Sequence, residues 1–587
     1  MAAAQPPNDA IVIGIDFGTT FSGVAWAYSK QPEEIEIVTS WDSELHHCSD
    51  VEKAPTQLHY DGNGGKVSWG YAIAPEKEPL KWFKLLLLDD RDLPPDVARS
   101  TQLQEARRLR NEANRDPIEI IASFLRKLWN HSLESIERSV GPDLLKRSNF
   151  QVVITLPAIW PPYAQQKMKQ AAQESGILDP RPDAGTTTLR FVSEPEAAAL
   201  ATIKDLAQRS TIEAGDTITV CDAGGGTVDL ISYIVESVEP FVAKECVKGD
   251  GDLCGGVFLD EGFIKLVEEK SPKGAWVSVS KADKKNFLND QWEHFIKPQF
   301  ENQQLTWPVD LPESCRSSSS KGLKRRETLE LTSGEILSVF SPIADKIEAL
   351  VSRQVNAIQE KHHGVPKYII LVGGFGRSRY LFNRLKARFQ STILQSRGTK
   401  PWTAICRGAV VQGIIRHNPS SGLGVNIQAR VARMSYGVLY RTPFVRGVHD
   451  ARDMTWDVAQ QTYLADNQME WFLREGDDIS EKRSVHHDYF RLMLGHEASV
   501  KNTIYCSTTF PPPSRYDDSN TVRMLCEIKW ERRILTQTLP KYTNSLGKSF
   551  PKLEHRIEMD CEDGIVNFGV RYKGSRVGEQ DVEVQFN

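Results

Sequence analysis

A chain of 587 residues is too long for a single hydrophobic core and is expected to divide into several units. Its 40% apolar and 25% charged residues are ordinary for a globular protein, and a net charge of −5 gives no electrostatic reason to expect nucleic acid or an anionic membrane as partner. The nine cysteines form no CxxC pair and no run approaches a transmembrane length, so the chain reads as a reduced protein of the cytoplasm, with the nucleus as a second location.

The opening MAAAQPPNDA lacks the basic and apolar regions of a secretory leader and is expected to be disordered over residues 1–10. Then IVIGIDFGTTFSGVAWAYS (Ile11 to Ser29) carries one apolar run to Asp16, a turn of Gly18, Thr19 and Thr20, and a second apolar run from Phe21. This pattern predicts a β-hairpin with a carboxylate at its tip. Gly18 lets the backbone approach a phosphate, the two threonines can donate to its oxygens, and Asp16 can hold hydrated Mg²⁺. Taken alone, the same residues also fit a plain turn ending a buried strand.

A turn-rich region follows to Gly65, with short strands expected near 35–38 and 57–60. PLKWFKLLLLDD then sets Lys81 and Lys84 on either side of Trp82 and Phe83. Leu93 to Arg115 reads as a surface helix or a mobile insertion, and an amphipathic helix starts at Pro117. A strand at Gln151–Thr155, a helix at Pro162–Ser175 and a strand ending at Ser193 come next, and Glu194-Pro195 opens a further helix.

About two hundred residues after the first hairpin, ITVCDAGGGTVDLISYIV repeats its design with Asp222, Gly224, Gly225, Gly226 and Thr227. Two phosphate hairpins imply two similar lobes facing one nucleotide. Residues 280–300 read as a charged helix, and Ser317 to Glu327 as a basic polar loop, either a solvated turn tip or a docking signal. Glu335–Glu360 is expected to be a long helix capped by Thr332-Ser333. The third glycine stretch, YIILVGGFGRSRYLFNRLK, predicts a strand at Tyr368–Val372, a turn of Gly373, Gly374 and Gly376, and a helix from Ser378 able to receive a phosphate or ribose.

These three segments, together with ITLPAIWPPYAQQKMKQAAQESG and FVSEPEAAALA, resemble the actin-like ATPase superfamily, and specifically the nucleotide-binding domain of the seventy-kilodalton heat-shock chaperones, over roughly residues 10–415. The resemblance implies an α/β fold, a duplicated ribonuclease-H-like, two-lobed domain over 11–416, with lobe one at about 11–210, lobe two at about 211–395 and a closing helix at about 401–416. It implies ATP/ADP and Mg²⁺ as ligands, with K⁺ near Asp229. Asp16 and Asp222 would hold the metal through water, Asp222 and Glu194 would orient the attacking water, and Lys84, with Lys81 in reserve, would reach the γ-phosphate. Gly18, Thr19, Thr20, Phe21, Gly224, Gly225, Gly226, Thr227, Gly255 and Gly256 would line the phosphate side. Lys297, Gly373, Gly374, Gly376 and Arg377 would line the adenosine side. The chain departs from the family at Gln165, where an arginine is usual, at Phe375, in place of a small hydroxyl residue, and at Trp402, in place of an acid.

Residues 417–429 read as a linker without the family's acidic-leucine signature, and 430–587 as a β-sandwich of about eight antiparallel strands. The phrase MEWFLREGDDI resembles the family's substrate-domain strands, while the helical lid and acidic tail are expected to be missing. The function expected is a weakly hydrolysing ATPase chaperone that couples nucleotide state to unfolded or extended polypeptide clients, with co-chaperones as further partners. The alternatives are a nucleotide-gated scaffold with little turnover and, on the same fold, a small-metabolite kinase, for which no stretch announces an acceptor-site base.

Overall fold

The computed structural model describes residues 9–582, apart from 44–49, 63–65, 75, 159, 182–186, 208–211, 273, 316–327, 396–397, 419–422, 424, 433, 481–483, 494–496, 499, 517–520, 531–533 and 563–564. The basic loop at Ser317–Glu327 and the final residues from Glu583 lie outside the described residues. The chain forms two compact units, one of residues up to Ala243 with Gly249–Asn426, the other of Lys244–Lys248 with residues 427–586.

The first unit contains one topology twice. In the first copy, strands β1 (Ala10–Phe17) and β2 (Phe21–Tyr28) form the expected antiparallel hairpin, and the short β3 (Lys53–Pro55) pairs with β2. β1 also pairs in parallel with β4 (Asn149–Leu156), which pairs in parallel with β5 (Thr188–Ser193). In the second copy, β6 (Thr217–Ala223) and β7 (Val228–Val238) form a hairpin; β6 pairs in parallel with β8 (Tyr368–Val372), and β8 with β9 (Thr392–Gln395). β1 and β6 are buried along their whole lengths, which is why β1 runs apolar without alternation from Ala10 to Ile15 and why the one polar residue within Ile218–Cys221 of β6, Thr219, has its hydroxyl paired with that of Ser232 at 3.0 Å.

Each copy has its own core. Helix α1 (Pro117–Val140) begins with a capping box between Asp116 and Glu119 and lays Phe124, Leu125 and Leu128 against Ile13, Ile15 and Phe17. Helix α2 (Glu194–Ala207) leaves β5 directly, with the Ser193 hydroxyl accepting from the Glu196 amide at 3.1 Å. In the second copy, α3 (Val257–Lys270) and α4 (Ser333–His362), the latter capped by Thr332, enclose Phe263, Phe340, Leu371 and Phe375. α5 (Lys400–His417) packs on α2 and β1.

The region from Leu93 is settled as a helix, Thr101–Ala113. The segment from Lys281 is helical to Gln299 as expected, but Leu288–Ile296 winds as a π-helix. The expected linker is shorter than predicted, because a strand begins at Val425.

The second unit is all β. Strands β10 (Ser435–Pro443), β11 (Met454–Asp457), β12 (Thr462–Leu473), β13 (Ser484–Leu492), β14 (Lys501–Ser507), β15 (Arg523–Lys529), β16 (Ser549–Glu562), β17 (Ile565–Tyr572) and β18 (Ser575–Val582) make up most of it. One five-stranded sheet runs β11-β12-β10-β14-β15; the other runs β13-β16-β17-β18 with Lys541–Thr543 beside β16. Tyr436, Phe472, Ile504 and Ile528 of the first sheet share a core with Leu553, Ile557, Phe568 and Val570 of the second. The last described strand is Ser575–Val582. Among the described residues no α-helix follows His417, and no helix of the chain is long and apolar enough to cross a membrane.

Candidate functional site

The two hairpins end in glycine-threonine tips that meet. A Cβ placed on Gly225 would fall 2.0 Å from the Thr20 hydroxyl oxygen, and one on Gly226 3.0 Å from that of Thr19, so only bare backbone fits there. The carboxylates stand one step behind the tips, inside the strands: Asp16 pairs with Gly23 across the first hairpin, and Asp222 with Asp229 across the second. Gly255 and Gly256, expected among the nucleotide-binding residues, stand directly against the second tip. Their amides donate to the carbonyls of Gly226 and Gly224 at 3.1 and 3.0 Å, and that of Val257 to Gly225 at 3.0 Å, so these backbone donors buttress the second tip.

The third glycine turn adjoins the second hairpin. Gly373 has φ +83°, and a Cβ there would come within 2.4 Å of Asp222 Oδ1 and of the Ala223 carbonyl oxygen. Gly374 is exposed and faces Trp402, a Cβ there lying 3.9 Å from its indole, and Trp402 meets Phe21 edge-on at 5.6 Å. Phe375 is buried in the core, its ring 6.5 Å from that of Phe340, so this bulky residue fills the second copy's interior. Gly376 is buried and Arg377 is exposed in the short turn before the helix Arg379–Arg388.

Around the tips are four buried carboxylates, Asp16, Glu194, Asp222 and Asp229, none more than 5% exposed. Two buried lysines answer them. Lys84 donates to Glu194 at 2.6 Å and lies over the rings of Phe17 and Trp160, while Lys53 bonds Asp16. Lys81, the reserve candidate, is exposed. Burial raises the Glu194 pKa against the pull of Lys84. Asp222 is held well above the usual carboxylate range by burial, then by Glu194, Asp229 and Asp16. Asp229 is pushed up to about 7 by burial and Glu194; the Thr227 hydroxyl and the Ala158 amide oppose this without reaching hydrogen-bond geometry.

Oδ1 of Asp222 and both oxygens of Asp229 have no hydrogen-bond partner among the described residues. Buried carboxylate oxygens left bare, in a cluster where acids outnumber ammonium groups, are what a bound cation satisfies. No three such side chains converge as direct metal ligands among the described residues, so the donor set suits a hydrated ion such as Mg²⁺.

The raised carboxylates set a pH dependence. Folded Asp229 binds a proton up to a pH of about 7 and the unfolded chain only to about 3.8, so the folded state carries more protons in that window and stability falls as pH rises through it. The melting temperature without nucleotide is expected to decline as pH rises from 3.8 to about 7. Asp229→Asn should flatten that decline, as differential scanning fluorimetry across the range would show; an unchanged slope would place the titration elsewhere.

Two participants were not singled out from the sequence. Lys53 precedes an Ala-Pro pair in a polar stretch and shows its role only once the register of β2 and β3 is known. Asp260, on α3, accepts from Lys297 at 2.7 Å and from the Trp292 indole at 2.7 Å, while Lys297 also donates to Glu293 at 2.6 Å. Lys297 is therefore engaged with two acids. The π-helical turn carries Trp292 and Glu293 to this network, and burial pushes Asp260 up to about 7. Gln165 is half-buried on the helix Pro162–Glu174, whose Tyr163 donates to Asp92 at 2.7 Å and whose Lys167 donates to the Leu87 carbonyl at 2.8 Å.

A family model described as Hsp70 protein matches residues 90–452, and a second, described as a domain of unknown function, matches residues 430–563. The chain is 26% identical to Heat shock 70 kDa protein 12A of Mus musculus over 75% of its own length and 73% of that protein. It is 26% identical to Heat shock 70 kDa protein 12B of Homo sapiens over 76% of its length and 74% of that protein. To Chaperone protein DnaK of Thermoplasma volcanium it is 29% identical over 45% of its length and 40% of that protein. Most of the α/β unit, including the second hairpin but not the first, lies inside the first of these matches, while the β unit lies largely inside the second, and by the extent of the first the chain belongs to the Hsp70 family, as an atypical member.

Proposed function

We propose that the chain is a Mg²⁺-dependent ATPase whose nucleotide state governs the binding of extended polypeptides by its β unit. The observation that carries this reading is the contact of two glycine-threonine tips over four buried carboxylates. The duplicated sheets act as two lobes. ATP lies between them, its phosphates receiving hydrogen bonds from Thr19, Thr20, Thr227 and the amides of Gly18, Gly225 and Gly226, while the Gly224 amide closes the second tip by donating to the Thr227 carbonyl at 2.9 Å, and Lys84 offsets charge on the γ-phosphate. Mg²⁺, when bound, would be held through its water chiefly by Asp222, since Asp16 is paired with Lys53, and would supply further charge neutralisation. Asp222 Oδ1, unpartnered and raised in pKa, is placed to accept from the attacking water together with Glu194, so the protein contributes position and electrostatics rather than covalent chemistry. Asp229, with both oxygens bare, supports the second hairpin and is the candidate K⁺ position.

Adenosine would lie on the side of Gly373, Gly374 and Arg377, where Trp402 and Phe21 offer aromatic surface. In the β unit, exposed Met454, Trp456 and Tyr463 cluster at the β11 edge, Trp456 opposite Tyr463 with rings 4.9 Å apart, an open edge for an extended peptide. A nucleotide-gated scaffold with little turnover is the second reading. It is favoured by the Lys84–Glu194 pair, which ties two catalytic candidates to each other.

Mg²⁺-ATP titrated into the full chain should release heat and stabilise it, by about 2.7 kcal/mol at a hundredfold excess over Kd. Neither heat nor a thermal shift at millimolar nucleotide would remove the reading. ATP turnover stimulated by an unfolded apolar peptide would favour the chaperone, and binding without turnover the scaffold.

A further inference from the structure

Lys53 is held in place by a row of three residues on adjacent strands. Asp16 on β1 pairs with Gly23 on β2, and Gly23 pairs with Lys53 on β3. Strands lie about 4.8 Å apart, so a lysine two strands away reaches the carboxylate only by laying its stem across the residue between. That residue is glycine. A Cβ on Gly23 would fall 2.8 Å from Lys53 Cγ and 3.3 Å from Cε, so the missing side chain is the channel through which the ammonium reaches Asp16 Oδ2. Both partners are buried, at 5% and 2% exposure, and the Trp402 ring lies 6.0 Å from the ammonium.

The geometry points to a specific role for this lysine toward the metal and the phosphates, resting on the ATP reading above: we propose that Lys53 takes the place of much of the Mg²⁺ requirement, so that this chain binds ATP almost as well without the metal. Asp16 is one of the two carboxylates assigned to the hydrated ion. Bonded to a buried ammonium, it is already neutralised and offers the ion little. The ammonium stands beside Asp16, two residues before the tip that begins at Gly18, and so places a permanent positive charge next to the phosphate subsite. A charge built into the protein and kept from solvent does for the phosphates what a bound metal does, without having to be recruited.

The test compares the Kd for ATP in excess Mg²⁺ and in EDTA, measured calorimetrically on the full chain and on Lys53→Met. In the parent, the Kd is expected to change by about threefold or less between the two buffers. In Lys53→Met it is expected to rise about tenfold or more in EDTA, the scale of one lost charged hydrogen bond. A lysine that merely braces the sheet would alter melting temperature and leave the ratio of the two Kd values unchanged. A parent that loses tenfold or more (about 1.4 kcal/mol) in EDTA overturns the inference while leaving the ATP reading in place. Absence of binding in both buffers overturns the ATP reading itself. Where Lys53→Met fails to fold, the parent's two titrations decide alone.

Discussion

Asp222→Asn is expected to slow ATP hydrolysis by about 10²- to 10³-fold, the scale for losing one preorganised electrostatic group, while ATP still binds. The substitution keeps the side chain's shape against Gly373, whose backbone leaves no room for a bulkier neighbour, so the hairpin and third glycine turn should stay together. What it removes is the charge on a carboxylate whose Oδ1 is otherwise bare. The same change should raise the melting temperature of the nucleotide-free protein, because burial and three neighbouring acids oppose ionisation of Asp222 in the folded state. Single-turnover hydrolysis and a melting curve measured on one preparation check both halves. Turnover equal to the parent's would move the water-orienting role to Glu194.

The second large effect is expected at the Lys84–Glu194 pair. Lys84→Met should destabilise the first unit by about 3–5 kcal/mol, since it leaves the buried Glu194 without its ionic partner. Lys84→Met combined with Glu194→Gln should recover most of that loss, because no orphaned charge remains and the methionine still packs on Phe17 and Trp160. Calorimetry following the transition that nucleotide shifts would measure the cycle. Additive effects of the two single changes would show that the pair contributes little and that Lys84 stabilises through its stem.

Much of this architecture was legible because buried parallel strands and capped helices leave strong local marks. Tyr368 to Val372 is a continuous apolar run ending at a glycine turn, Ile218 to Cys221 is apolar but for Thr219 and leads into one, and both lie within the strands found. The 30-residue α4 is announced by its capping box at Thr332 and Glu335. β13 was not legible: it is an edge strand with no fully buried residue, held by nine backbone rungs to β16, so SVHHDYFRL carries no apolar alternation. In the site, side chains next to a glycine turn could be picked out, but partners defined by register could not. Lys53 depends on a row across three strands and Asp260 on a π-helical turn, and neither leaves a spacing in the sequence. The amide partners of Gly255 and Gly256 were not legible for a similar reason. A glycine pair signals close approach, without saying whether a phosphate or another strand's carbonyl is what approaches.

The repeat of one topology also has an asymmetry with a consequence for direction. At the rung behind each tip, the first copy sets Asp16 against Gly23, and the second sets Asp222 against Asp229. One rung is neutralised by a lysine from the next strand; the other holds two acids, three of whose four oxygens are bare. Twofold pseudosymmetry would present the same face to a ligand turned end for end. Here the two halves differ in charge at matching positions, a neutralised pair in one and two acids in the other, giving the cleft an electrical polarity along the line joining the tips. A polyanion accompanied by a cation fits that polarity in one sense only, with the cation toward the second copy, so the duplication that builds the cleft has kept its shape while discarding its ambiguity.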